Sequence, residues 1–235
     1  MPQLDAVIFD YGQTLVTFTY PREGLLSVLR DFEPTIEEVL GGPAPSPEAL
    51  LDRVLMPLER HVSSESEQEV DWLDVYRDAW HREGLALPDG LLYEILDAEQ
   101  KCWDRIVVVD PHAPAVLATI RKRGLKTAIC SNAPFPPELM RRQVAANGIG
   151  SLMDAVVFSS EVGRRKPAPE MYVAALDAIR ANAEQTLFVG NRVREDYEGP
   201  LAQGMRAVIC TAHNHEPIPD GIPSIESLAG VLDWI

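Results

Sequence analysis

The chain has 235 residues, of which 46% are hydrophobic and 24% charged, and its formal net charge is −15. This length predicts one large domain, or a core domain with an insertion. The acidity argues against a nucleic-acid partner, because phosphate backbones attract basic surfaces. No apolar run approaches the roughly 20 residues needed to cross a bilayer, so no membrane partner is expected.

The N-terminus lacks the basic start and the cleavable apolar stretch of a secretory signal. Three cysteines, Cys102, Cys130 and Cys210, show no metal-ligand spacing, and two of them end apolar runs. Buried, reduced thiols are the expected state. The sequence therefore predicts a cytoplasmic protein.

The first predicted element is a buried strand at residues 6 to 9, which form the apolar run Ala-Val-Ile-Phe. The strand runs directly into Asp10, and Gly12 and Thr14 follow within four residues. A carboxylate delivered by a buried strand, beside a glycine and a hydroxyl, calls for a chemical explanation.

A helical pattern replaces the strand pattern between residues 17 and 105. Apolar residues recur there at three- and four-residue intervals, and Ser46 is a plausible helix cap. The stretch contains 20 acidic and 8 basic residues, which marks it as a separate unit. Within it, residues 63–69 are expected to form an exposed loop.

Strands and helices alternate from residue 111 onward. The predicted strands are Lys-Thr-Ala-Ile-Cys, Asp-Ala-Val-Val-Phe-Ser, Thr-Leu-Phe-Val-Gly and Arg-Ala-Val-Ile-Cys, and residues 224–235 are predicted to form a terminal helix. These strands alternate with helices, and apolar residues run continuously through their centres. Both features indicate a parallel sheet covered on both faces. The fold class is therefore α/β, with a Rossmann-like open parallel sheet.

Polar residues follow the predicted strands, where ligands bind in such sheets. In chain order these polar residues are Asp10, then Ser131 and Asn132, then Lys166, and then Asn191 and Asp196, which follow Gly190. A carboxylate, a hydroxyl, a lysine and further oxygen donors at one edge suit attack on an anionic substrate. Each residue alone also has a structural explanation, and Lys166 lies in a basic run that would ordinarily be solvated.

Four segments resemble the haloacid dehalogenase-like hydrolase superfamily in order and spacing. They are Phe-Asp-Tyr-Gly-Gln-Thr-Leu (9–15), Ile-Cys-Ser-Asn-Ala-Pro (129–134), Arg-Lys-Pro-Ala-Pro-Glu-Met-Tyr (165–172) and residues 187–205. The resemblance implies a core domain of residues 1–16 and 106–235. It also implies a helical cap domain of residues 17–105, which should close over Asp10 as a lid.

The resemblance also implies a role for each matching residue. Asp10 would be the nucleophile that forms an aspartyl-phosphate, and Lys166 would neutralise charge on it and on the phosphoryl group. Thr14, Ser131 and Lys166 would bind the substrate's phosphoryl group. Asn132 would either bind substrate or orient the nucleophile loop. Mg²⁺ would be held by Asp10, the carbonyl of Gly12, Asn191 and Asp196.

Two positions depart from the family pattern. Gly12 stands where family phosphatases usually have an aspartate that acts as general acid and base, a contribution of about 10²- to 10⁴-fold. Asn191 stands where a first metal-binding aspartate is usual, so weak Mg²⁺ binding is expected. Arg192 replaces a common serine and would either reach the substrate or pair with Asp196.

These departures leave three functions open. The first is a Mg²⁺-dependent phosphatase of a small phosphorylated metabolite. The second is a metal-independent 2-haloacid dehalogenase, which needs no acid at Gly12 but usually has tyrosine there, whereas Tyr11 lies one residue earlier. The third is a binding protein that has kept the fold and lost catalysis. A separate cluster, His213, His215 and Glu216, is expected to be a surface loop rather than a metal site.

Overall fold

The computed structural model describes residues 3–62, 64–213 and 217–235. Its strands are Ala6–Phe9 (β1), Val16–Thr17 (β2), Val108–Val109 (β3), Lys126–Ser131 (β4), Ala155–Phe158 (β5), Thr186–Gly190 (β6), Arg206–Cys210 (β7) and Ser224–Ile225 (β8). Within these residues, a parallel sheet runs in the order β5–β4–β1–β6–β7–β8, and β2 pairs with β3 antiparallel. The predicted open parallel sheet is confirmed.

The C-terminal segment departs from its prediction. Instead of one terminal helix, Ser224–Ile225 extends the sheet beside β7, and only Leu228–Asp233 coils, as a 3₁₀-helix. Pairing with the edge of β7 satisfies backbone groups that a helix of this length would leave open at its ends.

The helices divide between the two faces of the sheet and a separate apolar cluster. They are Arg22–Leu40 (α1), Pro47–Leu50 (α2), Glu59–Val62 (α3), Trp72–Arg82 (α4), Asp89–Ile106 (α5), Ala113–Lys122 (α6), Pro137–Ala146 (α7), Ser159–Val162 (α8), Pro169–Ile179 (α9) and Gly199–Ala202 (α10). Along β1, Val7 and Phe9 share a buried cluster with α6 and α7, whereas Ala6 and Ile8 share one with α9. This alternation follows from the two-residue period of a strand.

Helices α1 to α5 lie between β2 and β3 and have an apolar cluster of their own. Trp80, Tyr76 and Ile95 are fully buried in it, and Leu139 of α7 joins it from the sheet side. The oxygen of the Ser46 side chain accepts a hydrogen bond from the N–H of Ala49, as a helix cap does. The division of the chain into a core and a cap stays a prediction.

The expectations about the cysteines and about membrane-spanning segments can be compared with the described residues. Cys102, Cys130 and Cys210 are all buried and free. Within the part of the chain that the structure describes, every helix is too short or too polar to cross a membrane.

Candidate active site

Three adjacent strands deliver polar residues to one edge of the sheet. β1 ends just before Asp10, β4 ends at Ser131 and β6 ends at Gly190. Because the strands are parallel, their carboxyl ends open together, here onto a cavity of about 140 Å³. The cavity is lined by Asp10, Gly12, Gln13, Phe18, Val62, Ser131, Asn132, Arg165, Lys166, Asn191, Arg192, Glu195 and Asp196. Every predicted site residue except Thr14 is among them.

Lys166 bridges two carboxylates at the base of this cavity. Its Nζ lies 2.8 Å from Oδ1 of Asp10 and 2.6 Å from Oδ1 of Asp196. Burial by itself lowers the pKa of Lys166, but the two carboxylates outweigh burial and raise it. The lysine therefore stays charged between the two carboxyl groups, whereas burial raises the pKa of Asp196. Lys166 is buried, so the alternative of a solvated basic run does not hold for it.

Asp196 also holds the loop that follows β6. Its Oδ2 accepts hydrogen bonds of 2.9 Å from the backbone N–H groups of Asn191 and Arg192. A Cβ atom at Gly190 would overlap the Asp196 carboxyl group, so this close approach requires glycine. Both carboxylate oxygens of Asp196 thus accept from protein donors. Arg192 lines the cavity with its side chain, and its described contact with Asp196 is through the backbone.

Thr14 lies behind the nucleophile position rather than in the cavity lining. Its hydroxyl is 3.5 Å from Oδ2 of Asp10 and 3.4 Å from Oδ1 of Asn191. A hydroxyl has one hydrogen to donate, so these long contacts are alternatives. The preceding Gln13 has φ 60°, a left-handed conformation that is uncommon outside glycine and recurs at functional loops.

Asn132 connects β4 to the lysine loop. Its Nδ2 donates to the carbonyl of Lys166 at 3.1 Å, and its Oδ1 accepts from the N–H of Lys166 at 2.7 Å. The side chain therefore positions the Lys166 backbone, a role that was not considered from sequence. A substrate contact of Asn132 stays a prediction.

A buried ion pair supports the same loop from the opposite side. Arg165 Nη1 lies 3.0 Å from both carboxylate oxygens of Glu69, and both side chains are only 2% exposed. Ser159 donates its hydroxyl to Glu69, and Arg165 Nη2 donates to the carbonyl of Val62. The expectation of an exposed loop at residues 63–69 is therefore wrong for Glu69. Its partner is 96 positions away, so no local signal could identify it.

The structure adds contacts for two further residues, Glu195 and His213. Glu195 was not singled out, yet it lines the cavity and pairs with Arg194 at 3.5 Å. Nε2 of His213 lies 2.7 Å from Oδ2 of Asp110, whereas His215 and Glu216 lie outside the described residues.

The donors at this cavity are oxygens, which Mg²⁺ prefers, but Asn191 adds no negative charge to them. Among the described residues, no three His, Cys, Asp or Glu side chains cluster as a metal site. Asp10, the Gly12 backbone and Asn191 nevertheless line one cavity with oxygen donors, and Mg²⁺ commonly uses only one or two carboxylates and keeps several waters. A ligand role of Asp196 stays a prediction. Both of its carboxylate oxygens already accept hydrogen bonds from protein donors.

Comparisons with known proteins fit this geometry. Residues 4–204 match the family model described as haloacid dehalogenase-like hydrolase. Over 98 residues the chain is 36% identical to phosphoserine phosphatase of Thermus thermophilus, covering 42% of this chain and 39% of that protein. Over 130 residues it is 28% identical to phosphoglycolate phosphatase of Rhodospirillum rubrum, covering 54% of this chain and 53% of that protein. The chain thus spans about half or less of these relatives' length.

A solved structure extends the likeness to the whole chain. The crystal structure of 2-haloacid dehalogenase from Pseudomonas syringae pv. Tomato DC3000 matches with a TM-score of 0.73, covering 99% of this chain and 100% of that one. The sequence identity is 19%, so this likeness concerns the fold alone.

Proposed function

Because the chain belongs to the haloacid dehalogenase-like hydrolase family, we propose that it hydrolyses the phosphate monoester of a small metabolite through an aspartyl-phosphate at Asp10. One observation carries this proposal. Asp10 and Lys166 form a buried contact of 2.8 Å at the floor of a cavity that Ser131 also lines. A carboxylate nucleophile held beside a fixed positive charge suits attack on a phosphoryl group.

In the first step, a carboxylate oxygen of Asp10 attacks phosphorus while the bond to the leaving oxygen breaks. Lys166 neutralises charge on the equatorial oxygens, and the hydroxyl of Ser131 donates to them. Thr14 contacts the Asp10 carboxylate from outside the cavity lining. In the second step, water attacks phosphorus, and the electrons of the Asp10–phosphate bond return to the carboxylate. Inorganic phosphate and free Asp10 result.

Mg²⁺, when bound, supplies further charge neutralisation to the phosphoryl group, and Asp10, the Gly12 carbonyl and the Asn191 amide oxygen would hold it. Asn191 brings no negative charge, which supports the proposal of weak binding. Asp196 would act chiefly through Lys166 and the Asn191 backbone, both of which it contacts.

The helical insertion of residues 17–105 is proposed as the cap that selects the substrate. Phe18 and Val62 come from this stretch and line the cavity beside Asp10. A cap in this place excludes water from the reacting groups.

Hydrolysis of acetyl phosphate tests the proposed function. Its carboxylate leaving group needs no proton, so Gly12 does not mask activity, and its small size places no demand on the cap. We expect phosphate release that rises with added Mg²⁺ and is abolished by EDTA. Absence of phosphate release, together with halide release from a 2-haloacid, would replace the proposal with the dehalogenase function. Absence of both activities would favour a binding protein.

Introducing an aspartate at position 12 should allow the enzyme to hydrolyse phosphate esters with poorer leaving groups, such as simple alcohols. For Gly12→Asp we expect kcat for ethyl phosphate to rise at least about tenfold, because general acid catalysis contributes about 10²- to 10⁴-fold. The backbone at residue 12 accepts a Cβ atom, which would lie 3.4 Å from Phe18, an ordinary contact. The measurement is steady-state phosphate release. Gly12→Asn is the matched control, and an equal rise in that variant would contradict a proton-donor explanation.

A further inference from the structure

A second cavity, of about 120 Å³, adjoins the first. The two share Gly12, Phe18, Val62, Ser131 and Asn132 in their walls, so they lie side by side next to the nucleophile. The remaining lining residues of the second cavity are Tyr11, Glu59, Gln100, Trp103, Val107, Ala133, Phe135, Met140 and Gln143. A phosphoryl group on Asp10 would therefore direct its leaving group toward a wall that is mostly aromatic and aliphatic.

The amides on this wall already have protein partners. Gln100 Nε2 and Gln143 Nε2 each donate to Oδ1 of Asp104 at 2.9 Å. Gln143 Oε1 accepts from the hydroxyl of Tyr11 at 3.2 Å. Because these groups are engaged with one another, the wall offers a substrate chiefly apolar contact. Glu59 supplies a carboxyl group on the same wall, which disfavours a second anionic group on the substrate.

Aromatic side chains stand directly over the position of the missing acid. A Cβ at Gly12 would meet the Phe18 ring at 3.4 Å, and the ring of Trp103 meets Phe18 edge-on at a centroid distance of 5.8 Å. Phe18 is 40% exposed although it is large and apolar. A flat ring beside Phe18 and Trp103 would gain from edge or offset contacts with these aromatic neighbours.

We propose that the substrate is an aryl phosphate monoester whose single ring occupies this second cavity; the inference rests on the phosphatase function proposed above. The size agrees, since an apolar cavity of about 150 Å³ holds one benzene molecule. The chemistry agrees as well. When the P–O bond breaks, a phenoxide keeps the electron pair and later takes a proton from water, so no acid at Gly12 is required.

Phenyl phosphate and acetyl phosphate together test this inference. Phe18→Ala should lower kcat/KM for phenyl phosphate at least about tenfold, as is typical when apolar contact in a pocket is lost, and by a larger factor than kcat/KM for acetyl phosphate, since Phe18 borders both cavities. Leu73→Ala on α4 is the control, because it removes an apolar side chain of similar exposure, 37%, outside both cavities. A second variant, Val107→Trp, fills only the second cavity, so it should lower kcat/KM for phenyl phosphate in the same way and leave acetyl phosphate within about twofold.

The outcomes separate the two proposals. If the wild-type protein does not hydrolyse acetyl phosphate, the phosphatase function fails, and this inference fails with it. If acetyl phosphate is hydrolysed, but Phe18→Ala and Val107→Trp leave phenyl phosphate turnover unchanged, the ring does not occupy the second cavity and this inference alone is overturned. A selective loss with phenyl phosphate in both variants supports it.

Discussion

Asp10→Asn is expected to lower kcat for acetyl phosphate by at least about 10³-fold, as the loss of a covalent nucleophile does in other hydrolases. The amide keeps the shape of the side chain and cannot form the aspartyl-phosphate. Stability should behave differently from activity. Lys166 keeps its 2.6 Å contact with Asp196, so the buried cation still has a carboxyl partner after the substitution. The free energy of unfolding should stay within about 1 kcal/mol of the wild-type value, or rise.

Lys166→Met is the matched contrast for this prediction. It removes the cation that both Asp10 and Asp196 contact, so two buried carboxylates face each other without compensation. Activity should fall as in Asp10→Asn, but unfolding should become easier by about 3–5 kcal/mol. Phosphate release and urea unfolding of both variants measure the two effects. If Asp10→Asn retained a tenth or more of the wild-type rate, the nucleophile would be another group.

Glu69→Gln should be among the most destabilising single changes in the chain. The substitution leaves the guanidinium of Arg165 buried, with 2% exposure and no counter-charge. Breaking a buried pair in this way costs about 3–5 kcal/mol. Activity should fall too, because Arg165 directly precedes Lys166 and holds the same loop. Urea unfolding gives the stability, and the kcat for acetyl phosphate measures the position of Lys166.

Two further variants make this prediction specific. Glu48→Gln removes a carboxylate from the exposed pair between Arg30 and Glu48, whose side chains are 51% and 54% exposed, and should leave the free energy of unfolding nearly unchanged, because solvent screens exposed pairs. Glu69→Gln combined with Arg165→Met removes both charges and should be more stable than Glu69→Gln alone. If Glu69→Gln were no more costly than Glu48→Gln, the buried pair would not support the lysine loop.

Local sequence patterns predicted most of the fold. Short apolar runs identified β1, β4, β5, β6 and β7, because strands buried on both faces are rich in apolar residues. The same patterns placed Asp10, Ser131 and Asn191 at strand ends and Lys166 in the loop after the third predicted strand. Ser224–Ile225 was missed, since two residues carry no periodicity and become a strand only when the edge of β7 is beside them.

The sequence by itself indicated that Asp10, Ser131 and Asn191 reach the cavity, because an apolar strand followed by a polar residue is a local signal that parallel pairing converts into a shared edge. Only the tertiary structure decided what those residues contact. The burial of Lys166 between Asp10 and Asp196, the bonds from Asn132 to the lysine loop and the pairing of Glu69 with Arg165 all join distant parts of the chain. Buried charges and amides must pair with other polar groups, and the partners are set by the fold rather than by spacing along the chain.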